Sequence, residues 1–545
     1  MAAVTPMVNL DPQTHPIDDG NMGIRNLRDQ VNSIQNLPRT GYPIVLVPGF
    51  SGWGRPLLGT VNYFGGFEDL ALGLSTMGYV VIVVRIGPIS SNRDRASLQH
   101  KQEWSWVKSH YTIRCRRSLW ANSGSGFDLP GAPATLIPVQ FGLNHPAFNP
   151  ANPALLNNAQ TWQAVVYNPP AAAAHLPPTW TWSATNKVHF ICHSQGGTTI
   201  RYLIELLRGL NGDFVAINAG NRQDWVKSVV TLGTPHKGTT VTDVVQYCYR
   251  RQYLTLERNV LLPNLSPLQD FVTSCSFESR PNRVYDLHLD HWGFSRNPGE
   301  FYSQMRARIA GDVTLWWNGG NHGLEDNSLQ GAAALNAYAP SPATYYFTMS
   351  FCATVPFPNE TLTTTEVNGL LALLPIVRTF NIGGIFGGIL APTLRTAIRF
   401  GAPGAREFLT WMTNVANNYL GNLGYFAQIP PPGLQIPRSD VLPLLSFPAY
   451  AMGGLNTPPP GILGMTADQL QPNDGIVNTI SMDGPVAGPI SDGTNFATQL
   501  QIAIGAGDMQ LVRGQYWHLH SNSTIDHADQ ICVFTNPATV SFYPL

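Results

Sequence analysis

The sequence contains few charged residues and no long run of charges of one sign. Charged residues make up 12% of the chain, where soluble domains average about a quarter, and the formal net charge is −1. The densest basic cluster is short, covering residues 114–117, and we interpret it as the solvated face of a loop. A chain without a basic stripe lacks the usual means of following phosphates, so no nucleic-acid partner is expected.

Three further classes are disfavoured by features that the sequence lacks. The six cysteines include no CxxC pair, which argues against a zinc ribbon and a thioredoxin-like redox motif. Residues 1–20 lack the basic start and the apolar stretch of a signal peptide, so no secretory leader is visible and the compartment stays unknown. The apolar segment 370–394 is interrupted by Arg378, Asn381 and paired glycines. We interpret it as part of a cap over an apolar cleft or as a surface that meets lipid, and no integral membrane segment is expected.

The length and the hydrophobic content indicate a large folded unit with insertions. A chain of 545 residues exceeds the roughly 250–300 residues that one core usually supports. The sequence therefore predicts one large domain with long insertions, or two domains that share a cleft. We interpret residues 1–40 as an irregular N-terminal arm and residues 41–545 as the catalytic domain, with insertions at about 98–182 and 359–440.

Apolar runs with a helix-like stretch between the first two predict an α/β fold with a mostly parallel central sheet flanked by helices. Continuous β-branched runs of this kind are typical of strands that are buried on both faces. The strand–helix–strand order is typical of doubly wound sheets. The expected strands lie within residues 43–50, 78–85, 187–192, 226–232 and 344–351, with a helix at 68–76.

The strongest chemical motif surrounds Ser194, in the run from Cys192 to Gly197. A strand, a tight turn and an amphipathic helix around one serine form a nucleophile elbow, which requires small residues beside the serine. Gly196 occupies one flank, and Cys192 stands on the other, where glycine is more usual. The following helix, expected at 198–207, directs its N-terminus at the serine, where it favours developing negative charge.

Two backbone N–H groups are expected to form an oxyanion hole. One belongs to Gln195, directly after the nucleophile, and the other to Phe50, in the glycine-rich loop 48–54 after the first core strand. A glycine-rich turn after a strand can also bind a phosphate, but this loop lacks the Lys-Ser/Thr of a P-loop and the G-x-G-x-x-G spacing. The sequence therefore favours Phe50 and Gln195 as oxyanion donors.

A serine nucleophile in this fold is followed along the chain by an acid and then by a histidine. Asp474 lies in a tight turn before an apolar run, which is the setting expected of the acid. Among the late histidines the spacing favours His527 but leaves the choice open. The competing acids and bases are Asp468, Asp483, Asp492, His518 and His520.

The motifs together resemble the thermostable, alkali-tolerant lipases of the Geobacillus type. The resemblance rests on segments 43–54, 90–95, 193–197, 234–240, 286–293, 473–485 and 526–527, which occur in the family's order. It implies an α/β-hydrolase fold and a secreted triacylglycerol lipase acting at a lipid–water interface. It also implies a helical lid, expected within 243–285, and a triad of Ser194, Asp474 and His527.

The resemblance also implies two structural metals, neither of which the chemistry of ester hydrolysis requires. A zinc site would use Asp94 and Asp290, but none of the four histidines between residues 98 and 182 shows the family's pattern, and zinc prefers nitrogen or sulfur ligands. A calcium site would use Asp529, Asn536 and Pro537. Asparagine replaces a carboxylate there, which weakens the attraction for calcium.

Two other functions use the same sequence features. A protein that has kept the fold but lost the activity would bind lipid without turnover, although a complete set of serine, acid and histidine argues against it. An acyltransferase would use the same triad and pass the acyl group to an alcohol. The insertions make the chain longer than the usual family form, and Pro48 replaces a common histidine.

Overall fold

The structure is a computed structural model that describes part of the chain in detail. The described residues are 19–34, 41–53, 61–66, 69–84, 86–96, 165–177, 180, 182–208, 222–245, 287, 289, 294, 296–320, 322–356, 434–438, 441–454 and 462–533. Among these residues no helix combines the length and apolar character needed to cross a membrane.

The described strands form one large sheet and one small two-stranded sheet. The strands are β1 (Ile44–Val47), β2 (Val81–Val83), β3 (Val165–Tyr167), β4 (Val188–His193), β5 (Val226–Leu232), β6 (Tyr345–Phe351), β7 (Thr354–Pro356), β8 (Gln435–Pro437), β9 (Ile490–Asp492) and β10 (Tyr516–Asn522). The large sheet has the order β3-β2-β1-β4-β5-β6-β10-β9, and β7 pairs with β8. All pairings in the large sheet are parallel except that of β2 with β3.

Helices cover both faces of this sheet. The described helices are α1 (Asp19–Ser33), α2 (Leu70–Thr76), α3 (Asn92–Ala96), α4 (Gln195–Arg208), α5 (Tyr302–Asn318), α6 (Gly323–Asp326), α7 (Leu329–Leu335), α8 (Pro443–Gly453), α9 (Ala467–Leu470) and α10 (Phe496–Ala506). The predicted α/β class is confirmed, and the five expected strands and the helix before β2 all form.

The strand β1 illustrates why these runs lie in the centre of the sheet. Its side chains alternate in direction, as the two-residue repeat of a strand requires. Val45 and Val47 pack in the same core as Leu203 of α4, whereas Leu46 packs with Ala71 of α2 on the other face. Full burial of each such side chain contributes about 1.5–3 kcal/mol, so a continuous apolar run is stable here and an alternating one would not be.

The order of the strands determines where a site can form. The chain runs from β1 outward to β2, then returns to the other side of β1 with β4 and continues to β5 and β6. The direction of winding therefore reverses between β1 and β4. Open α/β sheets bind ligands in the crevice beyond the carboxyl ends of the strands at such a switch point. Phe50 follows β1 and Ser194 follows β4, so both lie at this crevice.

Two segments differ from the sequence-based expectation. The N-terminal arm was expected to be irregular, and this was wrong for Asp19–Ser33, which form α1. Leu27 and Val31 share one face of this helix and, with Ile34 just after its end, pack against the core that contains Trp517. No strand was expected within the insertion at about 98–182, but its residues 165–167 form β3 at the edge of the sheet, where antiparallel pairing with β2 satisfies backbone hydrogen bonds.

Most residues of the predicted insertions lie outside the described part of the chain. Of the lid expected at 243–285, residues 243–245 are described, and they belong to a short helix over 241–245. Of the cap expected at 359–440, residues 434–438 are described, and they contain β8. The apolar segment 370–394 is outside the described residues.

Candidate active site

Ser194 occupies a strained turn between β4 and α4. Its φ angle is +54°, in the left-handed region that residues with a side chain rarely adopt. Its N–H donates to the carbonyl oxygen of Leu232 at 2.9 Å, and its own carbonyl accepts from the N–H of Gly197 at 3.1 Å. Strain of this kind costs about 1–3 kcal/mol and persists only where the surroundings enforce it. The helix α4 begins directly at Gln195, three residues earlier than the sequence indicated.

The glycines after Ser194 are required by close contacts. A Cβ atom on Gly196 would lie 2.5 Å from the carbonyl oxygen of Val47, and one on Gly197 would lie 2.3 Å from Thr234 Oγ1. Cys192, where glycine is more usual, is accommodated because its side chain is fully buried in the core beneath α4. Burial raises the pKa of the Cys192 thiol well above its ordinary value, so the thiol stays protonated and packs as a small apolar group.

Asp474 and His527, which lie 53 positions apart in the chain, are brought together in the structure. His527 Nδ1 lies 2.7 Å from Asp474 Oδ2. The N–H groups of Ile476 and Val477 donate to Asp474 Oδ1 at 3.0 and 2.8 Å, and Gln530 Nε2 donates to Oδ2 at 2.7 Å. Four donors therefore fix the orientation of a carboxylate that is completely buried.

The competing acids and bases lie in other environments. Asp483 pairs with Lys237 at 2.6 Å, and Asp468 and Asp492 are exposed. His518 and His520 lie on β10, where His518 Nδ1 is 3.1 Å from Thr348 Oγ1. Of the residues that the spacing left open, the structure pairs His527 with Asp474.

His527 lies beside the strained turn. The imidazole of His193, the residue before Ser194, has its ring centroid 4.5 Å from that of His527. The Nε2 atom of His193 lies 3.1 Å from the backbone carbonyl oxygen of His527. The His527 side chain is 11% exposed, and the carboxylate behind it is not exposed at all. Ser194, His527 and Asp474 thus lie in the same part of the structure, and His527 is the most exposed of the three.

The turn that carries Phe50 packs directly against Ser194. A Cβ atom on Gly49 would lie 2.5 Å from the Cβ atom of Ser194, so only glycine allows this approach. The next residue but one, Ser51, has a φ angle of +58° and donates its N–H to the carbonyl of Pro88 at 2.7 Å. At the other side, Gln195 is the first residue of α4, where N–H groups have no partner within the helix. The two expected oxyanion donors therefore flank the serine.

Arg95 orients this turn, although the sequence predicted no role for it there. Its guanidinium is fully buried and donates to the carbonyl oxygen of Gly49 at 3.0 Å and also to that of Pro48. Its Nε donates to Thr199 Oγ1 of α4 at 3.0 Å. In a planar trans peptide the N–H points opposite to the C=O. The contact with Gly49 therefore turns the Phe50 N–H away from Arg95.

The described residues do not test the predicted metal sites. Asp94 lies in α3 but its side chain is not described, and Asp290, Asn536 and Pro537 are outside the described residues. Asp529 is buried, and its N–H donates to Asp526 Oδ1 at 3.0 Å. Within the described part of the chain, no three His, Cys, Asp or Glu residues are grouped as metal ligands would be. One buried carboxylate by itself does not establish a fit to calcium.

Parts of the chain are similar in sequence to proteins that are named lipases. A model of the lipase-like C-terminal domain matches residues 178–385. A lipase of Staphylococcus epidermidis is 26% identical over 324 residues, which are 56% of this chain and 38% of that protein. Lipase 1 of Staphylococcus aureus matches with the same identity and coverage. The match thus spans 38% of the length of these curated relatives.

A solved structure, EstA from Clostridium botulinum, is similar over nearly the whole chain. The TM-score is 0.52 at 21% sequence identity, with 98% of this chain and 91% of that chain covered. In the described part of this chain the large sheet is parallel in all pairings but one and carries helices on both faces. The chain therefore has an α/β-hydrolase fold.

Proposed function

We propose that the chain is a serine ester hydrolase, a lipase or carboxylesterase that cleaves carboxylic esters of acylglycerols. The observation that carries the proposal is the buried hydrogen bond of 2.7 Å between His527 and Asp474, beside the strained turn that presents Ser194. An acid–base pair at a nucleophile elbow is the arrangement that acyl transfer requires. The similarity to proteins named lipases supports the same chemistry.

In the proposed mechanism, Ser194 Oγ attacks the ester carbonyl carbon while His527 Nε2 accepts the hydroxyl proton. The resulting imidazolium is stabilised and oriented by Asp474 through its Nδ1–H. His527 then gives the proton to the departing alkoxide oxygen, which leaves as an alcohol. The acyl group remains bound to Ser194 Oγ as an acyl-enzyme. Water, deprotonated by His527, attacks the acyl carbon and releases the carboxylic acid and free Ser194.

The oxyanion of each tetrahedral intermediate is proposed to accept hydrogen bonds from the N–H groups of Phe50 and Gln195. Such groups act most strongly when they are held in place before charge develops. Arg95 supplies this restraint for the first donor, since it holds the Gly49 carbonyl oxygen at 3.0 Å. The helix α4 supplies it for the second, because its first N–H groups point at the turn.

An acylglycerol substrate is proposed on the resemblance and on the printed names of the relatives. In this interpretation the chain is similar to the thermostable, alkali-tolerant lipases of the Geobacillus type. The segment 243–285 would form a lid, and opening it would expose apolar surface to an oil interface. A series of esters with increasing acyl length, assayed with and without emulsified triacylglycerol, distinguishes a lipase from an esterase of soluble substrates.

The serine mechanism is tested with the Ser194→Ala variant and an alkylphosphonate p-nitrophenyl ester, a probe that bonds covalently to an activated serine oxygen. We expect the wild-type protein to turn over p-nitrophenyl esters and to gain one phosphonyl group on the peptide that contains Ser194. The variant is expected to lose about 10⁶-fold in kcat and all labelling. A matched control is Ser341→Ala. Ser341 is a buried serine just before the amino end of β6, whereas the candidate site lies at the carboxyl ends of the strands.

Two results would contradict the proposal. Undiminished turnover in the Ser194→Ala variant would exclude the serine mechanism. No turnover of any ester by the folded wild-type protein would favour a lipid-binding protein that has kept the fold without the activity.

The calcium and zinc sites remain predictions, to be tested by elemental analysis of the purified protein. A calcium site at Asp529, Asn536 and Pro537 predicts about one equivalent of calcium and a lower melting temperature after chelation, because a ligand that binds only the folded state stabilises it. Zinc at well under one equivalent would eliminate the site at Asp94 and Asp290. No step of the proposed mechanism uses either metal.

A further inference from the structure

A chain of hydrogen bonds connects the turn at residues 48–51, called the oxyanion turn because it carries Phe50, to the backbone of His527. The N–H of Gly49 donates to Tyr63 Oη at 2.8 Å. Tyr63 Oη lies 2.7 Å from His193 Nδ1, and His193 Nε2 lies 3.1 Å from the carbonyl oxygen of His527. None of these contacts is used by the mechanism above, yet they join the two elements that must act together on the substrate.

The direction of every hydrogen bond in this chain follows from its two ends. The carbonyl oxygen of His527 can only accept, so His193 carries its proton on Nε2. A neutral His193 then has a bare Nδ1, which accepts from the Tyr63 hydroxyl. The Tyr63 oxygen in turn accepts from the N–H of Gly49, which can only donate. One arrangement of protons therefore satisfies all the groups, and its reversal would leave partners unmatched.

The surroundings keep the side chains of Tyr63 and His193 uncharged. Both side chains are buried, with Tyr63 7% and His193 2% exposed. Burial, and after it the charge on His527, lowers the pKa of His193 well below its ordinary value, while burial raises the pKa of the Tyr63 hydroxyl. His193 thus stays neutral even when His527 carries the proton from the serine.

The hydrogen-bond chain and Arg95 together hold two consecutive peptide groups of the oxyanion turn. The peptide between Pro48 and Gly49 is held at both ends, because Arg95 donates to its carbonyl and its N–H donates to Tyr63. The next peptide carries the Phe50 N–H, and its carbonyl is the second acceptor of Arg95. A rotation of the first peptide would displace the second, since the two share the Cα atom of Gly49. Glycine has no Cβ to resist this rotation, so external partners must do so.

We propose that Tyr63 and His193 are positioning residues, which set the oxyanion turn and the backbone of His527 relative to each other through this oriented chain of hydrogen bonds. The inference rests on the proposed function, because it assigns these residues to the same site. Neither side chain exchanges a proton with the substrate. Their loss acts on the transition state through geometry, and a misplacement of 1 Å at a reacting group lowers the rate by up to about 10²-fold.

The first test compares Tyr63→Phe with Tyr346→Phe. Each change removes one buried hydroxyl that accepts a hydrogen bond from a backbone N–H. Tyr63 accepts from Gly49 at 2.8 Å, and Tyr346 accepts from Ser341 at 3.0 Å. We expect Tyr63→Phe to lower kcat by about 10–100-fold with KM changed less than about twofold. Tyr346→Phe is expected to lose similar stability in urea while its kcat stays within about twofold of the wild-type value. Equal kcat in the two variants would overturn the inference.

The second test asks whether the two residues act as one unit. His193→Gln keeps a donor near the Nε2 position but loses the acceptor that Tyr63 bonds. We expect the double variant Tyr63→Phe with His193→Gln to be no slower than the slower single variant, since both break the same chain. Fully additive losses would overturn the inference. His189→Gln is the matched control, because His189 lies at the opposite end of β4 and bonds Ser228 Oγ at 2.7 Å.

These results separate the inference from the proposed function. A wild-type protein without esterase turnover contradicts the function, and the inference fails with it. A wild-type protein that turns over esters and labels at Ser194, with Tyr63→Phe as fast as its control, keeps the function and removes only the positioning role.

Discussion

Replacing Asp474 by asparagine is expected to lower kcat for ester hydrolysis by about 10⁴-fold while the fold and KM stay nearly unchanged. The reason lies in the four hydrogen bonds of this carboxylate. Its Oδ1 accepts two backbone N–H groups, at 3.0 and 2.8 Å. In the variant the amide oxygen must keep this position, because an NH₂ group facing two N–H donors would leave three donors without an acceptor.

The amide nitrogen of the variant residue must then face His527 and Gln530. A donor at this place favours the tautomer of His527 whose proton is on Nε2, and that nitrogen can no longer accept the proton of Ser194. Gln530 can turn its amide to present an oxygen, so stability is largely retained. The loss therefore falls on the chemical step and leaves substrate binding intact.

Steady-state kinetics with p-nitrophenyl esters, together with urea unfolding, measure both parts of this prediction. Asp468→Asn is the matched control, since Asp468 is an exposed aspartate in the same region and is expected to be neutral. A loss of less than about tenfold in the Asp474→Asn variant would show that His527 does not depend on this partner.

Replacing Ser194 by glycine is expected to abolish turnover and to give a more stable protein than replacing it by alanine. Both variants lack the nucleophile, so each is expected to lose about 10⁶-fold in kcat. They differ in strain, because the φ angle of +54° suits glycine and costs alanine about 1–2 kcal/mol. Urea unfolding is expected to show the glycine variant more stable by about 1 kcal/mol.

A comparison at Ser75 separates strain from the general effect of glycine. Ser75 lies in α2 and is buried like Ser194, but its backbone is helical. There glycine is expected to be less stable than alanine by about 1 kcal/mol. The order of the two substitutions should therefore reverse between the two sites. The same order at both would mean that the turn at Ser194 does not store strain.

The central part of the fold could be predicted from local sequence because its strands are buried on both faces. The runs around Val45 and Phe190 are apolar at consecutive positions, and such runs have few other ways to exclude water. α1 was missed because most of its residues are polar, and its apolar Leu27 and Val31 meet their partners only through α10 and β10. β3 was missed for a similar reason, since three residues form a strand only where an edge is available.

The residues of the candidate site also differ in how well the local sequence predicts them. The elbow at Ser194 has a local signature, because the strained turn demands small neighbours within a few positions of the serine. The spacing preferred Asp474 and His527 without excluding His518, and the resemblance made the choice firmer. Gln530 had no signal, because a glutamine near the C-terminus has many uses and its contact with Asp474 crosses 56 positions.

The sequence by itself predicted the class of fold, Ser194 as the candidate nucleophile and the pair of residues preferred as its partners. These depend on short-range chemistry, namely continuous burial, a tight turn and a known order along the chain. Only the tertiary structure placed Asp474 against His527, and placed Arg95, Tyr63 and His193 in one hydrogen-bond network around Gly49. Hydrogen bonds between distant residues have no local pattern, because their geometry exists only after the parallel strands have aligned their carboxyl ends.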